Sequence, residues 1–157
     1  MPTVVQFRRG TTAQNNSFTG SAGEISVDTT LNTIRVHDAS TVGGNELLRK
    51  DLSNLVTTVT GIGTSSTAID TFSTATYRSA KYIISVKDVT NSQYQTCEAN
   101  IIHDGTTAYI SMYGVIITGA TTRMTFTVSI AAGTLTLYGT GVSASNTVKL
   151  VRTLIPV

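Results

Sequence analysis

The chain carries the dipeptide His-Asp twice, at His37-Asp38 and His103-Asp104, and these are its only histidines. In some hydrolases that dipeptide supplies metal ligands. Both pairs here fall where an alternating stretch enters a turn, and neighbouring residues of a strand point to opposite faces, so one pair cannot close on one ion. With no further His and a single cysteine, Cys97, a zinc set cannot be completed within one copy. Each pair is read as a turn-initiating Asp beside a surface His, and Cys97 as a small buried hydrophobe. The one metal arrangement left open is an ion on a symmetry axis that takes one His from each copy.

Other chemistry is equally thin. No Ser-His-Asp order occurs in a nucleophile-elbow context, and the glycines of GIGT and YGTGV lack the Lys and the following helix of a phosphate-cradling loop. Glu24, Glu46 and Glu98 lie in different elements, so spacing pairs none of them for acid-base work. Among the tyrosines, Tyr77, Tyr82, Tyr94, Tyr109, Tyr113 and Tyr138, some could be platforms for sugar rings, although most tyrosines of a sandwich are half-buried wall residues. The expectation is therefore no catalytic residue, no cofactor and no metal.

The elements around these residues are strands. Charged residues are 13% of 157, while Thr, Ser, Gly and Asn are abundant and Trp is absent. That composition suits pleated, half-buried β structure. A net charge of +2, with Arg8-Arg9 the tightest basic pair, is too weak a field for nucleic acid. The opening MPTVVQFRRGTT lacks a signal-peptide core and no apolar run is of membrane length. Synthesis in a cytoplasm without membrane insertion is expected.

Three segments follow. In residues 1–46, Ile25 and Val27 alternate with polar residues, as do Ile34 and Val36, so a hairpin with one apolar face is predicted. Four aliphatics cannot sustain a hairpin alone, and Val4, Val5, Phe7 and Phe18 add little. In residues 47–63, Leu48, Leu52, Leu55, Val59 and Ile62 are spaced 4, 3, 4 and 3 apart, the seam of a short coiled coil. Such a helix either lies on its own sheet or joins copies of itself around an axis. Residues 64–157 show alternating runs around Ile84, Ala99, Ile110, Phe126, Leu137 and Val148, separated by turns at Asp104-Gly105 and Ala131-Ala132-Gly133. About seven strands predict an antiparallel sandwich, jelly-roll-like, that folds on its own.

The stretches FRRGTT, NSFTG, AGEISVDTTLNTIRVHD and GG followed by LL resemble the repeat near the N-termini of tail fibres and tail spikes of tailed bacteriophages. YRSAKYIISVKDVTNSQYQTCEANIIHDGTTAYISMYG is similar to domains of virion proteins of T4-like cyanophages. One departure is Ala39, where the family usually has Gly after VHD. The resemblance implies a homotrimeric virion protein with its N-terminal module near the anchor. Ile25, Val27, Ile34 and Val36 would then share a trimer axis with Leu48, Leu52, Leu55, Val59 and Ile62, and Arg8 and Arg9 would meet carboxylates of a virion partner. A tail-associated appendage, with a host surface glycan as a further partner, is the leading expectation. A capsid decoration protein or head fibre is the runner-up, and a glycan-cleaving tail enzyme subunit the alternative from another class. Neither spacing nor composition separates tail from capsid.

Overall fold

The hairpin read from the first alternation is part of a small mixed sheet in the computed structural model, which describes residues 6–47 and 55–157. β1 (Arg8–Gly10) runs parallel to β2 (Ile25–Asp28); β3 (Thr33–Val36) and β4 (Asn45–Glu46) complete the order β1-β2-β3-β4. Between the first two strands lies α1 (Thr12–Asn16), a turn and a half of helix started by a capping box. The Thr11 hydroxyl accepts from the Gln14 N–H, and the Gln14 side chain accepts from the Thr11 N–H at 2.8 Å. This explains the Thr of RRGTT. One turn of helix has no intrinsic stability, so the cap and the sheet beneath must hold it.

The remaining chain forms a second compact unit, and the division falls between Asn54 and Leu55. Its strands are β5 (Thr57–Ile62), β6 (Thr67–Ser73), β7 (Tyr77–Asp88), β8 (Gln93–His103), β9 (Ala108–Ile117), β10 (Met124–Ala131), β11 (Thr134–Gly141) and β12 (Asn146–Pro156). A five-stranded sheet, β5-β12-β7-β8-β9, and a three-stranded sheet, β10-β11-β6, are antiparallel throughout. Both contribute to one core: Tyr82, Ile84, Cys97, Ala99, Val148 and Leu150 from the first meet Ile69, Phe72, Met124, Phe126, Leu135 and Leu137 from the second. The unit is thus a β-sandwich, and the order β12-β7-β8-β9, a meander whose first strand is joined by a late returning one, is that of a Greek key. The expected turns are in place. Asp104 accepts the N–H groups of Thr106 and Thr107 at 2.8 Å each, and Ala132 and Gly133 both have positive φ, as a two-residue type I′ loop requires. Among the described residues, no helix is long and apolar enough to cross a membrane.

The helical seam expected over 47–63 is not what residues 57–62 form. They are β5, an edge strand paired with β12. Leu48 and Leu52 lie outside the described residues; Leu55 is exposed; Val59 packs on the sandwich core and Ile62 is buried in it. The three-residue spacing that mimicked a helix comes from a bulge. Val59 pairs with Val148 and Ile62 with Asn146, so three steps along β5 match two along β12. Gly61, at φ 72°, supplies the left-handed residue, and the bulge returns both aliphatics to one face. Thr57, Thr58 and Thr60, poor helix formers, are ordinary strand residues.

Candidate functional site

The N-terminal sheet buries its polar face and exposes its apolar one. Ile25 pairs with Val36 and Val27 with Ile34, which places all four on one side. Ile25 is 37% exposed, Ile34 43% and Val36 36%. Arg9, opposite Val27 in β1, and Asn45, opposite Val36 in β4, belong to the same face by register. Leu47, whose N–H bonds the Ile34 carbonyl, and Phe7 are exposed as well. These residues together form an exposed, largely apolar face on the N-terminal sheet.

Beneath the opposite face, Ser26, Asp28, Thr33, Arg35 and His37 are buried. Asp28 and Arg35 form an ion pair, Nη2 to Oδ2 at 2.9 Å. Asp28 Oδ1 also accepts from the Thr12 hydroxyl and from the N–H groups of Thr30 and Leu31, at 2.9, 3.1 and 3.1 Å. Arg35 Nη1 donates to Asn16 Oδ1 at 2.8 Å and to the Gly43 carbonyl at 3.0 Å. This pair ties the hairpin to α1 and to the loop before β4. Buried Asn15 extends the network by donating to the Gly10 carbonyl at 3.0 Å.

His37 holds the other end. Its Nδ1 accepts from the Gly20 N–H at 3.2 Å, which leaves Nε2 to donate to Ser26 Oγ at 2.9 Å in the neutral tautomer. Phe18 packs edge-on against the ring at 5.1 Å between centroids. A Cβ on Gly20 would lie 2.6 Å from the imidazole and one on Gly44 2.7 Å, so both glycines are required by close approach. His37 is therefore a buried structural residue. His103 is buried too and contacts the Tyr77 carbonyl through Nε2 at 2.7 Å. The expected surface position of both histidines is corrected: His37 is held by Gly20 and Ser26, and His103 is anchored on the Tyr77 carbonyl beside the Phe72 ring. Asp38 and Asp104 do initiate turns: Asp38 accepts from the N–H groups of Ser40 and Thr41 at 3.0 and 2.7 Å. Among the described residues, no group of three His, Cys, Asp or Glu side chains is placed to hold a metal.

These contacts set the carboxylates' protonation. Burial raises the pKa of Asp28, but the Leu31 N–H, the Thr12 hydroxyl and Arg35 outweigh it, and the net shift is downward from 3.8. The Thr41 N–H and hydroxyl hold Asp38 well below the carboxylate range, and Thr107 and Thr106 do the same for Asp104. A depressed folded value means the stabilisation is complete above the unfolded value and is lost as pH falls through the folded one. The melting temperature should thus be flat from neutral pH to about 5 and fall below about 4. Asp38→Asn should flatten part of that fall; an unchanged profile would show that the turn carboxylate carries no linkage.

Ala39 explains the departure from Gly. Its φ is 63°, a left-handed conformation that a Cβ disfavours. Ala39→Gly should raise stability by about 1 kcal/mol, read as a higher urea midpoint with unchanged slope.

The two arginines have different surroundings. Arg8 Nε bonds Glu24 Oε1 at 2.6 Å, and its guanidinium lies 4.3 Å from the Phe18 ring centroid, so Arg8 is engaged within its own unit. Arg9 has no partner among the described residues and stands beside the apolar face. Both border a cleft of about 220 Å³ with Gln14 and Phe18. Sequence reasoning missed the buried set Asn15, Ser26, Asp28 and Arg35. Its signal was present in the recurring pattern, whose polar positions are the ones the network uses.

Residues 5–41 match the family model described as the Major tropism determinant N-terminal domain. The chain is 62% identical over 52 residues to the tail fiber receptor-binding protein of Bordetella phage BPP-1, a match that covers 33% of this chain and 14% of that protein. Among solved structures, the P3c variant of the Major Tropism Determinant is 30% identical with a TM-score of 0.30, over 79% of this chain and 28% of that one. The tailspike protein of Acinetobacter phage vB_ApiP_P1 is 13% identical with a TM-score of 0.47, over 78% and 28%. The chain spans under a third of the length of each of these relatives. Its N-terminal segment is thus similar to the N-terminal domain of the Major tropism determinant and to a phage tail fibre protein.

Proposed function

We propose that the chain is a phage tail-associated attachment protein, non-enzymatic, in which the N-terminal unit assembles and anchors while the C-terminal sandwich faces outward. The observation that carries this reading is the apolar row of exposed Ile25, Ile34 and Val36 with half-buried Val27, on a module whose other face carries its own polar network. Because that network pairs most polar groups of the inner face, the apolar row is left to meet copies of itself around a three-fold axis. Val59 and Ile62 drop out of the axis, since the sandwich core takes them. Arg9, without a partner among the described residues, supplies at the rim a forked donor for a carboxylate of the neighbouring virion protein. Each carboxylate of the sandwich is already engaged, Asp70 by Arg152, Asp88 by Ser143 and Asn91, Glu98 by Lys81, and Asp104 by its turn. Each of these carboxylates thus has a structural role of its own, which supports a binding role over glycan cleavage.

Particles assembled with a chain lacking residues 1–46 should lose the protein, while a truncated sandwich should be retained. In the full chain, Ile34→Asp should convert the sedimenting trimer to monomer, because three carboxylates would meet in an apolar seam. Retention of the N-terminally deleted form would make the sandwich the anchor and favour a protein lying on the capsid. A wild-type monomer at micromolar concentration would overturn the trimer.

A further inference from the structure

The outer face of the five-stranded sheet differs between its two ends. At one end Lys81 is ion-paired with Glu98 at 2.7 Å and lies 5.9 Å from the Tyr113 ring centroid. Towards the other end, register aligns Thr147, Lys87 and Tyr94 in one row across β12, β7 and β8, and puts Lys149 and Ser85 in a row two residues along. These five residues, with Val89, line a depression of about 420 Å³. Neither Lys87 nor Lys149 has a carboxylate partner among the described residues. Asp88, next to Lys87 in sequence, is buried on the opposite side of the sheet. Tyr94 is 49% exposed, and its hydroxyl has no partner among the described residues.

We propose that this depression binds an acidic sugar residue of a bacterial surface polysaccharide, with its carboxylate between Lys87 and Lys149 and its ring against Tyr94. Two unpaired ammonium groups with no acid among them form a field complementary to an anion, and their bonds to a carboxylate are charge-assisted. The Ser85 and Thr147 hydroxyls both donate and accept, which suits sugar hydroxyls, and an exposed aromatic face suits the apolar side of a pyranose. Location disfavours an extended peptide. β12, β7 and β8 are interior strands whose backbone groups are paired on both sides, so a partner strand cannot be added there.

The proposal rests on the attachment reading, and purified full-length chain tests it without particles, so either can fail alone. The chain is titrated with oligogalacturonate and with α2,8-linked oligosialic acid. Methyl-esterified oligogalacturonate and poly-glutamate serve as controls. The expected result is binding of at least one acidic glycan, its loss on esterification, and weakening of about tenfold for Lys87→Gln and for Lys149→Gln. Tyr94→Ala should weaken glycan binding as well, and Lys81→Gln, on the same face, should not. Failure to bind either acidic glycan overturns the proposal. So does equally tight binding of poly-glutamate together with an indifferent Tyr94→Ala, which would reduce the site to a charge patch open to acidic protein.

Discussion

Arg35→Met is expected to unfold the N-terminal unit while the sandwich keeps its own cooperative melt. Met approximates the aliphatic stem but leaves the Asp28 carboxylate buried without its countercharge, and breaking a buried pair from one side costs about 3–5 kcal/mol. A unit of this size has a total stability on the order of 5 kcal/mol. The substitution also releases Asn16 and the Gly43 carbonyl, so α1 and the loop before β4 lose their tie to the hairpin. Amide exchange should report it: protection over Ile25–Asp28 and Thr33–Val36 should disappear, and protection over Tyr77–Asp88 should persist. Adding Asp28→Asn should recover part of the loss, since the remaining amide keeps donors nearby without an unpaired charge. If Arg35→Met leaves exchange in β2 and β3 unchanged, the pair is not what closes the inner face.

Ile62→Ala should take about 2–5 kcal/mol from the sandwich and leave the association state of the chain untouched. Ile62 is fully buried, and its carbonyl accepts from Asn146 Nδ2 at 2.8 Å, a bond that joins β5 to the start of β12. The cavity therefore opens in the core of one copy. If Ile62 instead lined an axis between copies, the same substitution would weaken assembly and spare the sandwich, so sedimentation and thermal melting together separate the two. A related comparison locates the boundary. A fragment from Leu55 retains β5, whereas one from Thr64 lacks it and exposes the edge of β12. The longer fragment should have the higher urea midpoint, and equal midpoints would mean that β5 contributes nothing.

Much of the sandwich was legible because its strands obey one rule. In β7, β8 and β10–β12 apolar and polar residues alternate, and a strand with one face in a core and one in solvent has that pattern. β6 escaped notice because only Ile69 and Phe72 are buried in it, three residues apart, as in a helix. β5 failed for a related reason: Val59 and Ile62 share a face only through the bulge at Gly61, and a bulge depends on the partner strand.

At the N-terminus, alternation determined that the hairpin has an apolar face, Ile25, Val27, Ile34 and Val36, and that one chain has too few aliphatics to cover it. Turn chemistry at Asp38 and Asp104 was likewise readable, since a carboxylate reaches N–H groups two and three residues on. Tertiary structure alone decided what lies behind the hairpin. Asp28 and Arg35 meet Thr12, Asn16 and Gly43, and His37 meets Gly20 and Ser26, across chain separations that no period encodes. Buried polar side chains need hydrogen-bond partners, and those partners are supplied by the folded geometry of distant segments.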